Sequence, residues 1–125
     1  MPDGLSGLAR RFAGTLQFSL EDIMPPSRDP ILSLQTLPDS LAAWQLTDQG
    51  KALERDLRFA DFAQAFGFMA HMALVSERLD HHPEWRNVYN RVHIRLTTHD
   101  ADGLTQRDLD WAERAERALL TASQP

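Results

Sequence analysis

The apolar residues change their spacing twice between Lys51 and Thr98, and that switch restricts the architecture more than any other feature of the chain. From Lys51 to Phe59, Leu53, Leu57 and Phe59 recur at even intervals, the period of a strand with one buried face. From Asp61 to Leu79, Phe62, Ala65, Phe66, Met69, Met72 and Ala73 lie three or four positions apart, which predicts one apolar stripe along a helix. The period then returns to two, with Val92, Ile94 and Leu96 alternating against Arg91, His93, Arg95 and Thr97. A helix between half-buried strands implies a sheet covered on one side.

The remaining elements follow from punctuation. Trp44-Gln45-Leu46-Thr47 reads as a strand, and Asp48-Gln49-Gly50 as the turn of a hairpin leading into Lys51–Phe59. Pro38-Asp39-Ser40 has helix-start chemistry. Asn87-Val88-Tyr89 reads as a short strand and Asp102-Gly103 as a turn. Thr105-Gln106-Arg107-Asp108 has the spacing of a capping box and opens a last helix through Leu109, Ala112, Ala115 and Leu119. The expected fold is α+β in two layers: a four-stranded antiparallel sheet with the helices on one face, in the order β-β-α-β-β-α after a short N-terminal helix. Phe68 and Val75 fall off the stripe of the long helix, so they are expected to face a partner chain or a wrapped N-terminal tail.

Residues 1–33 read as a partly mobile extension, and residues 34–125 as the folded domain. Met24–Pro30 holds three prolines in seven residues and cannot be helix interior or central strand. Ahead of it, Leu5, Leu8, Phe12 and Leu16 have helical spacing.

Charge and cysteine content exclude several function classes. Thirteen Lys and Arg against eighteen Asp and Glu give a net charge of −5, with no basic cluster suited to nucleic acid. The absence of cysteine removes disulfides, thiolate nucleophiles and Cys-based zinc sites. No apolar run reaches the roughly 18 residues of a membrane span, and no targeting pattern is evident. The expectation is a cytoplasmic protein that binds neither membrane nor nucleic acid directly.

Against this background the histidines stand out. His81 and His82 follow the long helix with Pro83 directly behind them, in the stretch Glu77–Trp85, and His99 closes the strand that starts at Val92. Imidazole is the side chain that gives and takes protons near neutral pH. Each residue also has an ordinary explanation. One of the pair could cap the helix C-terminus, Asp108 could be no more than the acceptor of a capping box, Glu77 an exposed helix charge, and Trp85 and Tyr89 packing residues. Three histidines and a carboxylate could also hold zinc, although two adjacent histidines lack the i, i+4 spacing of common zinc helices.

Taken together, Glu77, His81-His82-Pro83, Tyr89, His99 and Asp108 resemble the pattern of the pterin-4a-carbinolamine dehydratases. Phe59-Ala60-Asp61-Phe62, Ala65-Phe66-Gly67-Phe68-Met69, Asn87-Val88-Tyr89-Asn90, Val92-His93-Ile94 and Gly103-Leu104-Thr105 are similar to that family too. The resemblance runs from about Leu34 to the C-terminus. It implies dehydration of 4a-hydroxy-tetrahydropterins to quinonoid dihydropterin, in tetrahydrobiopterin recycling, with His81, His82, His99 and Asp108 as catalytic groups. It also implies pterin contacts from Glu77, Asp80, Pro83, Trp85, Thr98, Asp100 and Ala101. No metal or other cofactor is implied, since the pterin is the substrate. A homodimer or homotetramer is expected. The alternative is a binding role for the long-helix face, as in the family members that act as dimerisation cofactors of a transcription factor.

Overall fold

Alternation of buried and exposed side chains carries through into a four-stranded antiparallel sheet with spatial order β1-β2-β4-β3. The elements are β1 (Gln45–Thr47), β2 (Ala52–Arg58), α1 (Phe62–Leu79), β3 (Glu84–Val88), β4 (Arg91–Leu96) and α2 (Gln106–Ala122). Short 3-10 turns lie at Asp39–Leu41, Asp48–Gly50 and His99–Ala101. The structure is a computed structural model and describes residues 29–122. The short N-terminal helix expected around Leu5–Leu16 therefore lies outside the described residues.

Register explains which side of the sheet is covered. β2 pairs with β4 so that Leu53 faces Leu96 and Leu57 faces Val92, and β3 pairs with β4 so that Trp85 faces Ile94. Leu53, Leu57, Val92, Ile94 and Leu96 are buried beneath the two helices. Arg55 shares that face and reaches Glu116 of α2 at 3.0 Å, so its charge is paired where the helix crosses the sheet edge. The α+β two-layer arrangement is as expected.

The long helix is present, with its start at Asp61, whose carboxylate accepts from the Gln64 N–H at 2.8 Å. Its core face is not the expected one. Ala65, Phe68, Met72, Val75 and Ser76 are buried, whereas Phe62 is 49% exposed, Phe66 57% and Leu74 68%. Phe68 and Val75, expected to look outward, are core residues, and Phe62, Phe66 and Ala73 stand on the solvent side. The helix carries two apolar stripes, and packing against Phe59, Trp111 and the sheet selects the one through Phe68 and Met72.

Two boundaries also move. β3 begins at Glu84 rather than Asn87, and Tyr89 lies in the turn with φ 52°, bracketed by Asn90, whose side-chain amide donates to the Phe59 carbonyl. Among the described residues, contacts with the domain are already made ahead of Leu34: Asp29 pairs with Arg107 at 2.6 Å, and the Leu32 N–H donates to the Leu104 carbonyl at 2.8 Å. These contacts tie the last part of the expected extension to the start of α2.

Trp111 is the centre of the core. It is fully buried, packs edge-on against Trp44 and Trp85 at centroid distances of 6.5 and 6.1 Å, and donates through Nε1 to Ser76 Oγ at 2.8 Å. The Ser76 hydroxyl passes its own proton to the Met72 carbonyl, so one buried chain of hydrogen bonds joins α1 to α2. Trp111→Ala should cost about 3–5 kcal/mol in denaturant unfolding, the range for removing a buried aromatic side chain.

On the open face, His93 lies directly opposite Asp56 and bridges two carboxylates, Nδ1 to Asp56 at 2.6 Å and Nε2 to Glu54 at 2.7 Å. The hydrogen bond to Asp56 raises the His93 pKa above the ordinary value, aided by Glu54 and opposed by partial burial. Glu54 is shifted down, chiefly by the hydrogen bond from Thr47, with His93 and Arg95 contributing. A raised folded-state pKa stabilises fully below the unfolded value near 6.5 and ceases to do so as pH rises through the folded value. Unfolding free energy should therefore decline from about pH 6 upward, and His93→Gln should flatten that slope in urea titrations at stepped pH.

Candidate active site

The end of α1 sets the site. Asp80 adopts the left-handed conformation, φ 51° and ψ 45°, and its N–H reaches the Ser76 and Glu77 carbonyls. The His81 N–H also returns to the Ser76 carbonyl at 3.0 Å, which caps the helix and turns the chain sharply. Pro83 then has no N–H to offer, and β3 starts one residue later. The adjacent histidines are thereby sent in different directions.

His81 turns inward. It is 6% exposed, and its Nε2 lies 2.5 Å from Oδ1 of Asp108, which is fully buried in the first turn of α2. The second Asp108 oxygen accepts from the Thr98 hydroxyl at 2.7 Å and from the Thr105 N–H at 2.9 Å. The latter bond is half of the expected capping box, so the capping reading and the site reading of Asp108 describe the same carboxylate. Thr98 has one hydroxyl proton and gives it to Asp108. The Thr105 hydroxyl, 2.8 Å away, is therefore the donor to Thr98. A carboxylate only accepts, which places the His81 proton on Nε2 and leaves Nδ1 as the free ring nitrogen. Among the described residues no buried side-chain polar atom lacks a partner.

His82 turns outward, with Nε2 2.5 Å from Glu77 Oε2 and a side chain 56% exposed. His99 opens the 3-10 turn after β4, is 79% exposed, and lies 3.0 Å from Glu84. Glu84 follows Pro83 directly and also meets Arg95 at 3.3 Å. Two bridges thus join the end of β4 to the histidine loop: His81–Asp108–Thr98 beneath, and Glu84–His99 above. The turn that carries His99 is closed by paired backbone bonds between Thr98 and Gly103, with Asp102 at φ 54°.

The other expected contacts are placed unevenly. Asp80 is exposed beside the pair, Pro83 is half-buried, and Asp100 lies at the surface 3.7 Å from Arg107. Ala101 is half-buried in the 3-10 turn. Thr98 is 2% exposed and its hydroxyl donates to Asp108, so its side chain ties the site together from inside. Trp85 packs on Trp111. Sequence reasoning assigned Thr105 a place in the capping box but none in the site, and it assigned Glu84 no role. The capping-box spacing pointed to the first, and the position of Glu84 two residues after His82 was the sole signal for the second.

Each of the three histidines faces a different carboxylate, and among the described residues no group of three or more His, Asp or Glu is arranged to hold a metal ion. Among the described residues, cavities of about 490–600 Å³ lie between the helices, on the open face of the sheet, and between the end of β2 and α2. The exposed imidazoles of His82 and His99 line none of these. Among the described residues no helix is long and apolar enough to cross a membrane.

Residues 31–118 match the family model described as pterin 4 alpha carbinolamine dehydratase. A Novosphingobium aromaticivorans protein provisionally named a pterin-4-alpha-carbinolamine dehydratase is 58% identical over 79 residues, covering 63% of this chain and 82% of the relative. A Burkholderia lata protein with the same provisional name is 51% identical over 84 residues, covering 67% of this chain and 82% of its own. Among solved structures, a transcriptional coactivator/pterin dehydratase from Brucella melitensis aligns with TM-score 0.58 and 48% identity, over 60% of this chain and 80% of that one. A pterin dehydratase-like protein identified as a RuBisCO assembly factor in the alpha-carboxysome shares the fold, with TM-score 0.54 and 21% identity over 66% of this chain and 93% of that one. With residues 31–118 matched, from ahead of the strand hairpin into the last helix and including all four residues of the histidine–aspartate set, the chain belongs to the pterin-4a-carbinolamine dehydratase family.

Proposed function

We propose that this protein dehydrates 4a-hydroxy-tetrahydropterins to quinonoid dihydropterin and water, in the cytoplasm, as a step of tetrahydrobiopterin recycling. The observation that carries this reading is the pair of bridges that links His99 to the His81-His82 loop. In the reaction the C4a–O bond breaks, the hydroxyl takes up a proton and leaves as water, and N5 gives up its proton. The net proton count is unchanged, so the protein's task is to donate at one atom and accept at another.

His82 and His99 suit that task, because both rings are accessible and each is oriented by a carboxylate. His81 is a positioning residue in this reading. Its ring is held from below by Asp108 and fixes the backbone from which His82 projects. Asp80, next to the histidine pair, and Asp100 and Ala101, in the turn that carries His99, are the candidates for pterin contact. The two members of the acid–base pair each supply about 10²–10⁴-fold. His99→Ala and His82→Ala should each lower the dehydration rate by at least about tenfold in a direct 4a-hydroxypterin assay, with an unchanged unfolding midpoint. Wild-type rates in both variants would remove the exposed imidazoles from the mechanism.

A self-associated state, dimer or tetramer, belongs to the same proposal, and the solvent-side stripe of α1 supports it. Phe62 and Phe66 stack on each other at 5.8 Å, and both are exposed in the single chain. Contiguous exposed apolar surface of this kind marks an interaction face. Phe66→Asp should lower the mass measured by light scattering, and retention of the parent mass would place the contact elsewhere.

A further inference from the structure

The open face of the sheet carries a second arrangement, at the end away from the histidines. Residues directly opposite in the ladder share a face, so the register lays the open-face side chains out in rows. Glu54, Arg95 and Glu84 form one row, Asp56, His93 and Arg86 the next, and Arg58, Arg91 and Val88 the last. The first row is balanced, since Arg95 pairs with Glu84 at 3.3 Å and with Asp48 at 3.1 Å. In the second, Asp56 and His93 pair at 2.6 Å, and Arg86 is left over. The last row sets Arg58 directly opposite Arg91 and contains no carboxylate. Within the described residues, no ion pair or hydrogen bond engages the guanidinium of Arg58, Arg86 or Arg91.

Like charges directly opposite on paired strands are destabilising, with Cβ atoms only about 4.5–5.5 Å apart. Arg86 is the diagonal neighbour of Arg91 across β3 and β4, close enough for both long side chains to reach one point. All three arginines are exposed. Acidic residues outnumber basic ones in this chain, eighteen to thirteen, so a trio of cations without counter-charges stands against its overall composition. A basin of about 600 Å³ opens over the trio, bordered also by Val88, His93 and Asp56. The Asp56 carboxylate is already committed to His93.

We propose that this basin binds a small organic phosphate, its phosphate monoester held between Arg58, Arg86 and Arg91 and its organic part resting over Val88. The donors select the anion. A phosphate monoester carries a charge of about −1.5 to −2 near pH 7 and three acceptor oxygens, which match three planar guanidinium forks. A carboxylate brings one charge and two oxygens, enough for a single fork. The volume lies within the range of about 300–1,000 Å³ typical of small-molecule sites. A bound dianion offsets the repulsion between Arg58 and Arg91, so it supplies the counter-charge that the last row lacks. Arg91 lies about 13 Å along β4 from Arg95, whose row carries Glu84, the partner of His99. The basin is therefore separate from the dehydration site.

Phenyl phosphate is the probe and benzoate its control, each titrated into the full chain at low salt and followed by two-dimensional proton–nitrogen NMR. Phenyl phosphate should give saturable shifts at the Nε–H groups of Arg58, Arg86 and Arg91, with an affinity at least about tenfold above that of benzoate. Arg58→Gln combined with Arg91→Gln should weaken phenyl phosphate at least about tenfold, whereas Arg114→Gln, on α2, should leave its affinity unchanged. The double variant should keep or raise the melting temperature of the free protein, because the opposed charges are gone, and lose the stabilisation that phenyl phosphate gives the parent. Equal affinity for benzoate would overturn the proposal, as would binding that survives the double variant. Shifts spread evenly over Arg78, Arg114 and Arg117 would overturn it too, as would tighter binding of a single-stranded oligonucleotide, which would make a nucleic-acid strand the ligand. None of these outcomes depends on dehydratase activity.

Discussion

The buried carboxylate of Asp108 is the interaction on which the rest of the site depends. A charge with no solvent contact is tolerated only when every lone pair in reach is used, and here three donors converge on it from His81, Thr98 and Thr105. Those donors come from the loop after α1, the end of β4 and the start of α2. One group therefore fixes three segments that are well separated along the chain. Losing a single partner of such an arrangement leaves an uncompensated charge, typically a matter of about 3–5 kcal/mol. The geometry is thus held by a penalty for leaving it more than by the net strength of any one bond.

Around that anchor the two-layer fold divides its labour. The covered side of the sheet is aliphatic and aromatic and is closed by Trp111, whose ring nitrogen is satisfied by Ser76. The open side is charged, with His93 held between Glu54 and Asp56. The exposed imidazoles of His82 and His99 are carried by neither layer. They project from turns at the ends of a rigid helix and a central strand, each with the left-handed backbone that a sharp reversal requires, at Asp80 and Asp102. Rigid elements thus aim short loops, and the outward ring at position 82 is a consequence of the inward ring at position 81.

The architecture was readable because periods of two and of three to four cannot be confused over segments this long. The capping-box spacing at Thr105–Asp108 likewise foretold a real hydrogen bond. The failures have an equally plain cause. The long helix has apolar residues on two stripes, through Phe62, Phe66 and Ala73 and through Ala65, Phe68, Met72 and Val75. Periodicity establishes that a helix is amphipathic but does not rank two stripes of similar apolarity. On the last helix, the expected face through Leu109, Ala112, Ala115 and Leu119 includes two fully buried alanines and two partly buried leucines, but it omits Trp111, the largest buried side chain. Thr98 flanks His99, and strand alternation turns its side chain inward, a placement that adjacency along the chain does not reveal.

The sequence by itself determined the element order, the antiparallel α+β class, the family resemblance and the residue types of the histidine–aspartate set, since these depend on local period, punctuation and spacing. Tertiary structure alone decided which helix stripe faces the sheet, which histidine is buried and which are exposed, and that Glu84 and Thr98 tie the end of β4 to the loop after α1. Those outcomes depend on contacts between residues far apart in the chain. Burial, and with it the need to satisfy each polar group, is a property of the packed molecule and has no signature in any single segment.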